Sequence, residues 1–229
     1  MAFVVAIDGP AGTGKGTITK LIAKELGLLN IDTGAMYRCV TLACLEKGIT
    51  NIDNPKEIIA IAKGIEIKME NNNGEQTVFL NGKDVTKEIR SKEVSVLVSP
   101  VSSIPKVREK MVDMQRKMGD SQNIIMEGRD ITTVVFPNAD VKIYLDADVE
   151  ERAKRRYLEN QEKGIDIPYE EVLEMIKTRD ENDKNKPVGA LKIAEDAIVV
   201  DTTYLTIEQV KEKIKEIILE NMKNNKFET

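Results

Sequence analysis

A glycine-rich stretch near the N-terminus holds the residues best suited to chemistry in this 229-residue chain. It follows an apolar run at 3–7 and consists of Gly9, Pro10, Ala11, Gly12, Thr13, Gly14, Lys15, Gly16 and Thr17. Closely spaced glycines let consecutive backbone N–H groups converge on one anion, and a lysine at this spacing reaches the β- and γ-phosphates of a nucleotide. The pattern predicts a strand, a phosphate-binding loop and a helix that bind a nucleoside triphosphate. An ordinary glycine-rich turn is the alternative interpretation.

Two residues near this loop are candidates for metal binding. The strict loop pattern has a hydroxyl residue directly after the lysine, whereas this chain has Gly16 there and the hydroxyl one place later, at Thr17. Glu127 ends the apolar run 123–126 and resembles the acidic residue that anchors metal-bound water in such sites. We therefore expect Mg²⁺ at Thr17 and, through water, at Glu127. The alternative interpretation of Glu127 is a solvated carboxylate at the end of a strand. For Asp8, both metal binding and support of the turn remain open.

The composition excludes several classes of function. The chain has no histidine, which rules out histidine triads and imidazole acid–base chemistry. Phosphoryl transfer remains suitable, because it works mainly by positioning groups and cancelling charge. A net charge of −5 and 4% aromatic residues disfavour a nucleic-acid partner. No apolar run approaches the ~20 residues of a membrane span, and Cys39 and Cys44 fit no zinc spacing, so we expect a cytoplasmic protein with reduced cysteines and no membrane partner.

Short apolar runs predict the sheet that must position these residues. Besides the first run, they occupy 28–31, 123–126, 141–145 and 197–200, and helical patterns separate most of them. Such alternation is typical of a doubly wound α/β fold that binds ligands at the carboxyl ends of its strands. The expected fold is an α/β P-loop NTPase core with a five-stranded parallel sheet flanked by helices, plus a small antiparallel three-stranded insertion and a short lid.

The insertion is predicted at about residues 64–88, where the α/β rhythm breaks. Ile65, Ile67 and Met69 alternate with charged residues, which is the period-two pattern of a one-sided strand. A loop at 71–74, a second strand at 77–80 and a tight hairpin turn at Asn81-Gly82 follow. The pattern alone does not separate a decorative hairpin from one that contacts substrate.

The lid is predicted between two helices, 148–161 and 169–182, which residues 163–168 connect. Arg152, Arg155 and Arg156 fall at i, i+3 and i+4, so one helix face should present three guanidinium groups. Only nine of the 34 basic residues are arginine, and the planar guanidinium suits phosphate better than an ammonium group does. We therefore expect a phosphate-clamping lid. A solvated helix with Asp148–Arg152 and Glu151–Arg155 pairs is the alternative.

Four further stretches narrow the assignment, and together with the loop they resemble the bacterial cytidylate kinases. They are DTGAMYR at 32–38, EGRDITTVVFP at 127–137, ERAKRR at 151–156, and Arg179-Asp180 followed by Asp183. The resemblance runs from Phe3 to about Val210, and the segment at 64–88 matches that family's monophosphate-binding insertion. It implies an enzyme that transfers the γ-phosphoryl group of ATP to CMP or dCMP with Mg²⁺, and a monomer.

The resemblance also implies residue roles. The catalytic set would be Lys15, Arg129, Arg152, Arg155 and Arg156. Arg38 and Arg129 would hold the acceptor phosphate beside Lys15, and Arg179 and Asp183 would meet the sugar. The cytosine would be surrounded by Thr33, Ser99, Arg108 and Asp130. Lys186 stands where the family usually has arginine, so we predict looser base discrimination at this substrate-binding position, which Lys186→Arg should tighten.

The resemblance further implies three regions. Residues 1–35, 103–150 and 178–225 would form a nucleotide-binding core, 36–102 a monophosphate-binding region, and 151–177 a lid. Another nucleoside monophosphate kinase, or a small-metabolite kinase on the same fold, remains an alternative. A GTP-dependent switch is a third, although its Asn-Lys-x-Asp guanine motif has only the misordered counterpart Asn81-Gly82-Lys83-Asp84.

Overall fold

The computed structural model describes residues 2–72, 75–120, 122–162 and 164–227. The strands are β1 Val4–Asp8, β2 Leu29–Asp32, β3 Ile67–Asn72, β4 Glu75–Leu80, β5 Lys83–Asp84, β6 Ile124–Gly128, β7 Val141–Asp146 and β8 Ile198–Asp201. The helices are α1 Lys15–Leu26, α2 Thr33–Glu46, α3 Pro55–Gly64, α4 Lys92–Ser102, α5 Pro105–Gly119, α6 Val149–Glu162, α7 Tyr169–Lys184 and α8 Ile207–Phe227. A 3₁₀ turn, Glu88–Arg90, and a π-helical turn, Ile131–Val135, complete the set.

A parallel sheet in the order β2-β6-β1-β7-β8 forms the centre of the protein. Strand β1 is buried along its whole length, and its alternating side chains enter two hydrophobic clusters. Val4 and Ala6 pack with α2 to α5, whereas Val5 and Ile7 pack with α1 and α8. Because helices cover both faces of the central strands, these strands are mostly apolar and appear as short apolar runs in the sequence, whereas the edge strand β8 leaves Ile198 and Val199 exposed. The predicted α/β fold with helices on both faces of a five-stranded parallel sheet is confirmed.

Most strands extend slightly beyond the predicted apolar runs. Asp8, Asp32, Asp146 and Asp201 each end a strand, and Glu127 pairs in register with Asp32. A polar residue can continue the backbone ladder while its side chain reaches the solvent-facing edge, so hydrophobicity alone ends each strand too early. All these carboxylates lie at the same edge of the sheet, which places them where ligands bind in this class of fold.

The antiparallel insertion is also confirmed, in the order β3-β4-β5. Ile67 and Met69 are buried in the main core while Lys68 is exposed, as the period-two pattern predicts. Asn81 and Gly82 have φ values of 51° and 81°, the left-handed conformations of a tight hairpin turn. Asn71 and Asn72 belong to β3 rather than to the predicted loop, and residues 73–74 of that loop lie outside the described residues. Since its apolar face completes the core, this hairpin is structural, whatever else it contacts.

Helices α6 and α7 form an antiparallel pair with a small core of its own. Ala153, Val172 and Ile176 are buried there, and the rings of Tyr157 and Tyr169 meet edge to face at 6.1 Å. This cluster is separate from the two clusters that flank the sheet, so the pair can keep its packing if it shifts against the sheet. Within the described ranges, no helix combines the length and apolarity needed to cross a membrane.

Candidate active site

The glycine-rich segment forms the predicted loop between β1 and α1, with left-handed Gly14 as the N-cap of the helix. The buried Lys15 Nζ donates hydrogen bonds to the carbonyls of Gly9 and Pro10, both at 2.7 Å, and to Thr13 Oγ1 at 3.2 Å. Burial, and then the nearby Arg129, lower the pKa of Lys15 to about 7. A buried lysine whose ammonium group is held by the loop carbonyls is suited to binding phosphate.

The glycine that follows Lys15 has a steric explanation. A Cβ at Gly16 would lie 2.9 Å from Glu127 Oε1, so a side chain there would displace that carboxylate. Glu127 is half-buried at the end of β6, and burial followed by the charge of Asp32 raises its pKa to about 7. The departure from the strict loop pattern therefore leaves room for an acidic side chain next to the loop.

Asp8 supports a backbone turn, but this turn is the one that follows β6 and not the glycine-rich loop next to Asp8 in the sequence. Asp8 is fully buried, and its Oδ1 accepts from the Ile131 N–H at 2.9 Å. Its Oδ2 accepts from the N–H and hydroxyl of Thr132, both at 2.7 Å. Both oxygens are thus engaged in holding the π-helical turn after β6. Burial raises the pKa of Asp8 although these hydrogen bonds oppose the rise.

The oxygen atoms near the loop fit a magnesium ion that is completed by phosphate and water. Thr17 is exposed in the first turn of α1. The carboxylates of Glu127 and Asp32 repel each other, and a cation bound nearby would relieve this repulsion. Among the described residues, no group of three or more cysteine, aspartate and glutamate side chains could hold a metal by itself. Mg²⁺ typically needs only one or two carboxylates in nucleotide sites, since substrate phosphates and water supply the other ligands.

A buried ion pair joins Arg108 of α5 to Asp130, which follows β6, and we call the region between this pair and the Lys15 loop the cleft. Arg108 Nη1 also donates to the Ser102 carbonyl at 3.2 Å, and the guanidinium carbon lies 5.4 Å from the centre of the Tyr37 ring. At this distance the cation and the aromatic face attract each other. Arg108 Nε is buried with no hydrogen-bond partner in the described structure. The pair therefore holds a carboxylate beside a guanidinium group that still has one unpaired donor.

A second ionic group joins α7 to the end of β6. Arg129 Nε contacts Asp183 Oδ2 at 2.8 Å, and Lys186 Nζ contacts Asp183 Oδ1 at 2.8 Å. Lys186 also reaches Ser102 Oγ at 3.4 Å, next to the Arg108 pair. Arg179 lies nearby on an exposed position of α7, where partial loss of water and then the like charge of Arg129 lower its pKa to about 10. An excess of arginine around one carboxylate is an anion-binding arrangement.

The remaining predicted acceptor-side residues lie around this cleft with different partners. Arg38 of α2 donates to Ser95 Oγ at 3.0 Å and to the Ile89 carbonyl at 3.4 Å. Thr33 Oγ1 donates to the Glu127 carbonyl at 2.7 Å, which ties the start of α2 to β6. Ser99 lies on α4, where its carbonyl accepts from the hydroxyls of Ser102 and Ser103.

The three arginines of α6 point to different partners, so the expectation that they present one common face is wrong for the side chains. Arg152 is buried against the phosphate loop, where its Nη1 donates to the Ala11 carbonyl at 3.0 Å. Arg155 Nη2 donates to the carbonyls of Thr202 and Thr203 at 2.6 and 3.1 Å. Arg156 remains at the surface and pairs with Glu159 at 2.9 Å. Spacing along the helix fixes the position of each Cβ atom, whereas contacts with other elements determine where each guanidinium group lies.

The alternative interpretation of α6, a solvated helix, predicted two ion pairs, and the structure contains one of them. Glu151 and Arg155 approach to 3.7 Å, as the i, i+4 spacing predicts. Arg152, however, pairs with Asp180 of α7 at 2.7 Å and not with Asp148. Sequence reasoning missed Asp180, although its spacing of three from Asp183 placed both carboxylates on one face of α7.

Gly189 is another residue that the sequence did not single out. It follows α7 with φ of 68°, and a Cβ there would lie 2.5 Å from Asp130 Oδ2 and closer still to Arg108 Nη2. The backbone of this loop therefore packs directly on the buried ion pair. Only glycine combines the left-handed conformation with such a close approach.

We expect Gly189→Ala to lower kcat/KM for the acceptor at least tenfold, because the added methyl must displace the Arg108–Asp130 pair. Gly48→Ala is the matched control: Gly48 is also left-handed, with φ of 78°, but nothing lies within 4 Å of its Cβ position. Backbone strain should cost both variants about 1 kcal/mol of stability, and Gly189→Ala should lose more because its methyl also disturbs the buried ion pair. If steady-state kinetics showed the same loss of kcat/KM in both variants, this account of Gly189 would be wrong.

The lowered pKa of Asp183 should make the free energy of unfolding depend on pH in the acidic range, which can be tested. Burial alone would raise this pKa, but Arg129 and Lys186 outweigh burial and lower it from 3.8 to about 2. The resulting stabilisation is complete above pH ~4 and is lost as the pH falls towards 2, because the unfolded chain then binds the proton first. Urea unfolding should show that the Asp183→Asn variant loses about 1 kcal/mol less than the wild-type protein between pH 5 and pH 3. Identical losses would show that Asp183 is not held in its charged form.

Comparison with known proteins shows the family to which this chain belongs. Residues 5–220 match the family model described as cytidylate kinase. The chain is 50% identical over 220 residues to a cytidylate kinase of Caldicellulosiruptor bescii, covering 96% of this chain and 97% of that protein. It is 49% identical over 219 residues to one of Caldanaerobacter subterraneus, covering 96% of each. A solved gluconokinase from Sinorhizobium meliloti shares the fold alone, with a TM-score of 0.50 and 12% identity over 100% of this chain and 97% of that one. The chain belongs to the cytidylate kinase family.

Proposed function

We propose that this protein transfers the γ-phosphoryl group of ATP to CMP or dCMP, giving ADP and CDP or dCDP. The observation that supports this most directly is the buried Arg108–Asp130 pair across the cleft from the Lys15 loop. Cytosine carries an amino donor beside ring acceptors, which a carboxylate and an arginine can match. Uracil reverses the polarity at two of these positions, and each buried mismatch costs about 1–3 kcal/mol.

The phosphate loop and Lys15 would hold the donor triphosphate, and Arg38 and Arg129 the acceptor phosphate. Arg179 and Asp183 would bind the sugar, with Thr33 and Ser99 near the base. Phosphoryl transfer needs the attacking and leaving oxygens in line and the charge on the moving group neutralised, and these cations are suited to both tasks. Mg²⁺ held by Thr17 and, through water, by Glu127 would add its charge to the donor phosphates when bound.

Arg155 and Arg156 would act from the lid in the transition state. Because Arg155 contacts the Thr202 and Thr203 carbonyls and Arg156 is exposed, this role requires that they change partners when the lid closes. The separate core of α6 and α7 is compatible with movement of this pair as a unit. Residues 151–177 would thus be the lid, 36–102 the monophosphate-binding region, and 1–35, 103–150 and 178–225 the nucleotide-binding core.

The setting proposed for this activity is the cytoplasm, with the protein acting as a monomer on small molecules and not on nucleic acid. Cys39 and Cys44 are both free and buried, which suits a reducing compartment. Lys186, where the family usually has arginine, would allow looser discrimination between bases, since an ammonium group cannot make a planar bidentate contact.

A coupled assay of ADP formation with Mg²⁺-ATP tests the proposal against CMP, dCMP, UMP, AMP, GMP and dTMP. Turnover confined to CMP and dCMP, with UMP weak, is the expected result. A different preferred nucleotide would keep the kinase mechanism and overturn the base-site assignment. Turnover with none of the six would favour the alternative of a small-metabolite kinase on the same fold.

A further inference from the structure

Arg152 joins three parts of the protein: the phosphate loop, the segment after β7 and helix α7. Its Nη1 donates to the Ala11 carbonyl in the phosphate loop at 3.0 Å, and its Nε donates to the Ala147 carbonyl after β7 at 2.9 Å. Its Nη2 contacts Asp180 Oδ2 on α7 at 2.7 Å. The side chain is only 6% exposed, so its donors serve these protein partners and are not directed to solvent.

Among the described residues, the Asp180 carboxylate has Arg152 as its polar partner. The carboxylate is buried, and its other oxygen, Oδ1, has no hydrogen-bond partner within the described residues. The ion pair with Arg152 therefore determines where this carboxylate lies. Removing the charge of either partner would leave the other charge buried and uncompensated.

Helix α7 connects Asp180 to the acceptor side of the cleft. Arg179 precedes Asp180 directly, and Asp183 lies one turn later with Arg129 and Lys186 as partners. A shift of the Ala11 carbonyl is thus linked through two side-chain contacts to the helix that carries the proposed sugar-binding residues. Gly12, next to Ala11, packs tightly here, since its Cβ would lie 3.1 Å from Arg152 Cβ.

We propose that Asp180 is a positioning residue which, through Arg152, couples occupancy of the phosphate loop to the placement of α7. This inference rests on the proposed function. A nucleotide that orders the loop fixes the Ala11 carbonyl, and the Arg152–Asp180 pair then holds α7 where Arg179 and Asp183 meet the acceptor. The acceptor then binds more tightly, because α7 is already ordered and its ordering no longer opposes acceptor binding. By linkage, the acceptor tightens donor binding by the same factor.

The test is the ratio of CMP dissociation constants without and with a non-hydrolysable ATP analogue and Mg²⁺, measured by calorimetry. For the wild-type protein the analogue should tighten CMP binding at least fivefold. In Asp180→Asn the ratio should fall to within about twofold of unity, with CMP binding to the free protein little changed. A purely structural role would lower the unfolding temperature and leave the ratio at its wild-type value, which would overturn the proposal, as would a wild-type ratio of one.

Two further variants make the result decisive. Asp196→Asn removes the Lys142–Asp196 ion pair, with Nζ and Oδ2 2.6 Å apart, far along the sheet, and should keep the wild-type ratio. Arg152→Lys retains the charge but cannot bridge three partners, so we expect it to lose the coupling. If Asp180→Asn fails to fold, the ratio measured for Arg152→Lys tests the proposal in its place. If the wild-type protein binds no CMP at all, the proposed function fails instead, and the same ratio is then measured with the acceptor that the assay panel identifies.

Discussion

Lys15→Met should lower kcat about 10³-fold while the protein remains folded. The Lys15 ammonium is the cation at the centre of the phosphate loop, within 2.7 Å of the Gly9 and Pro10 carbonyls. A nucleotide phosphate placed in the loop would take over part of this contact, and the charge would be most valuable as negative charge shifts between the phosphates. Methionine has similar length and no charge, so it fills the space without that interaction.

Stability should change little in this variant because two effects oppose each other. Burial lowers the pKa of Lys15, so holding it charged costs the folded state at pH 7, and methionine removes this cost. The carbonyls of Gly9 and Pro10 lose a donor, at about 1–3 kcal/mol for each one left without water. Lys20→Met, on an exposed position of the same helix, is the control and should keep wild-type kcat. If Lys15→Met retained more than a tenth of kcat, the loop would not be the donor phosphate site.

Asp130→Asn should lower kcat/KM for CMP by two to three orders of magnitude, roughly 3–4 kcal/mol. The change removes the acceptor proposed for the cytosine amino group and leaves the guanidinium of Arg108 buried without a counter-charge. The second effect should reduce the free energy of unfolding by about 3–5 kcal/mol. Activity and stability would therefore fall together in this variant, and a further variant must separate them.

The double variant Arg108→Met/Asp130→Leu separates recognition from stability. Replacing a buried ion pair by apolar side chains of similar volume is often neutral for stability. We therefore expect urea unfolding to recover most of the loss, while kcat/KM for CMP stays as low as in Asp130→Asn. Recovery of activity along with stability would mean that the pair only supports the fold and that the cytosine is recognised elsewhere.

The phosphate loop illustrates what local sequence can predict. Its glycines, lysine and flanking apolar runs all lie within a single strand–loop–helix unit, so the residues that act together are neighbours in the chain. Strands buried on both faces and a one-sided hairpin leave equally local patterns. For the same reason, the five-stranded sheet and the insertion at 64–88 were predictable to within a few residues.

The ionic contacts across the cleft are different, because each joins distant parts of the chain. Arg108 and Asp130 are 22 residues apart and Arg129 and Asp183 are 54 apart. The resemblance to a family placed all four in the acceptor site, yet spacing alone could not show which carboxylate each arginine meets. Arg152, which the resemblance places in the lid, binds the phosphate loop and Asp180, and its spacing in the sequence indicated neither partner.

By itself, the sequence determined the α/β fold, the phosphate loop and the family, because short-range periodicity and contiguous motifs encode them. The tertiary structure decided the partners of the arginines, the structural role of Asp8 and the close packing of Gly189 on the Arg108–Asp130 pair. Those depend on where long side chains end, which is set by burial and charge contributed from other elements. Chain connectivity brings such groups near one another, and only packing selects which of them touch.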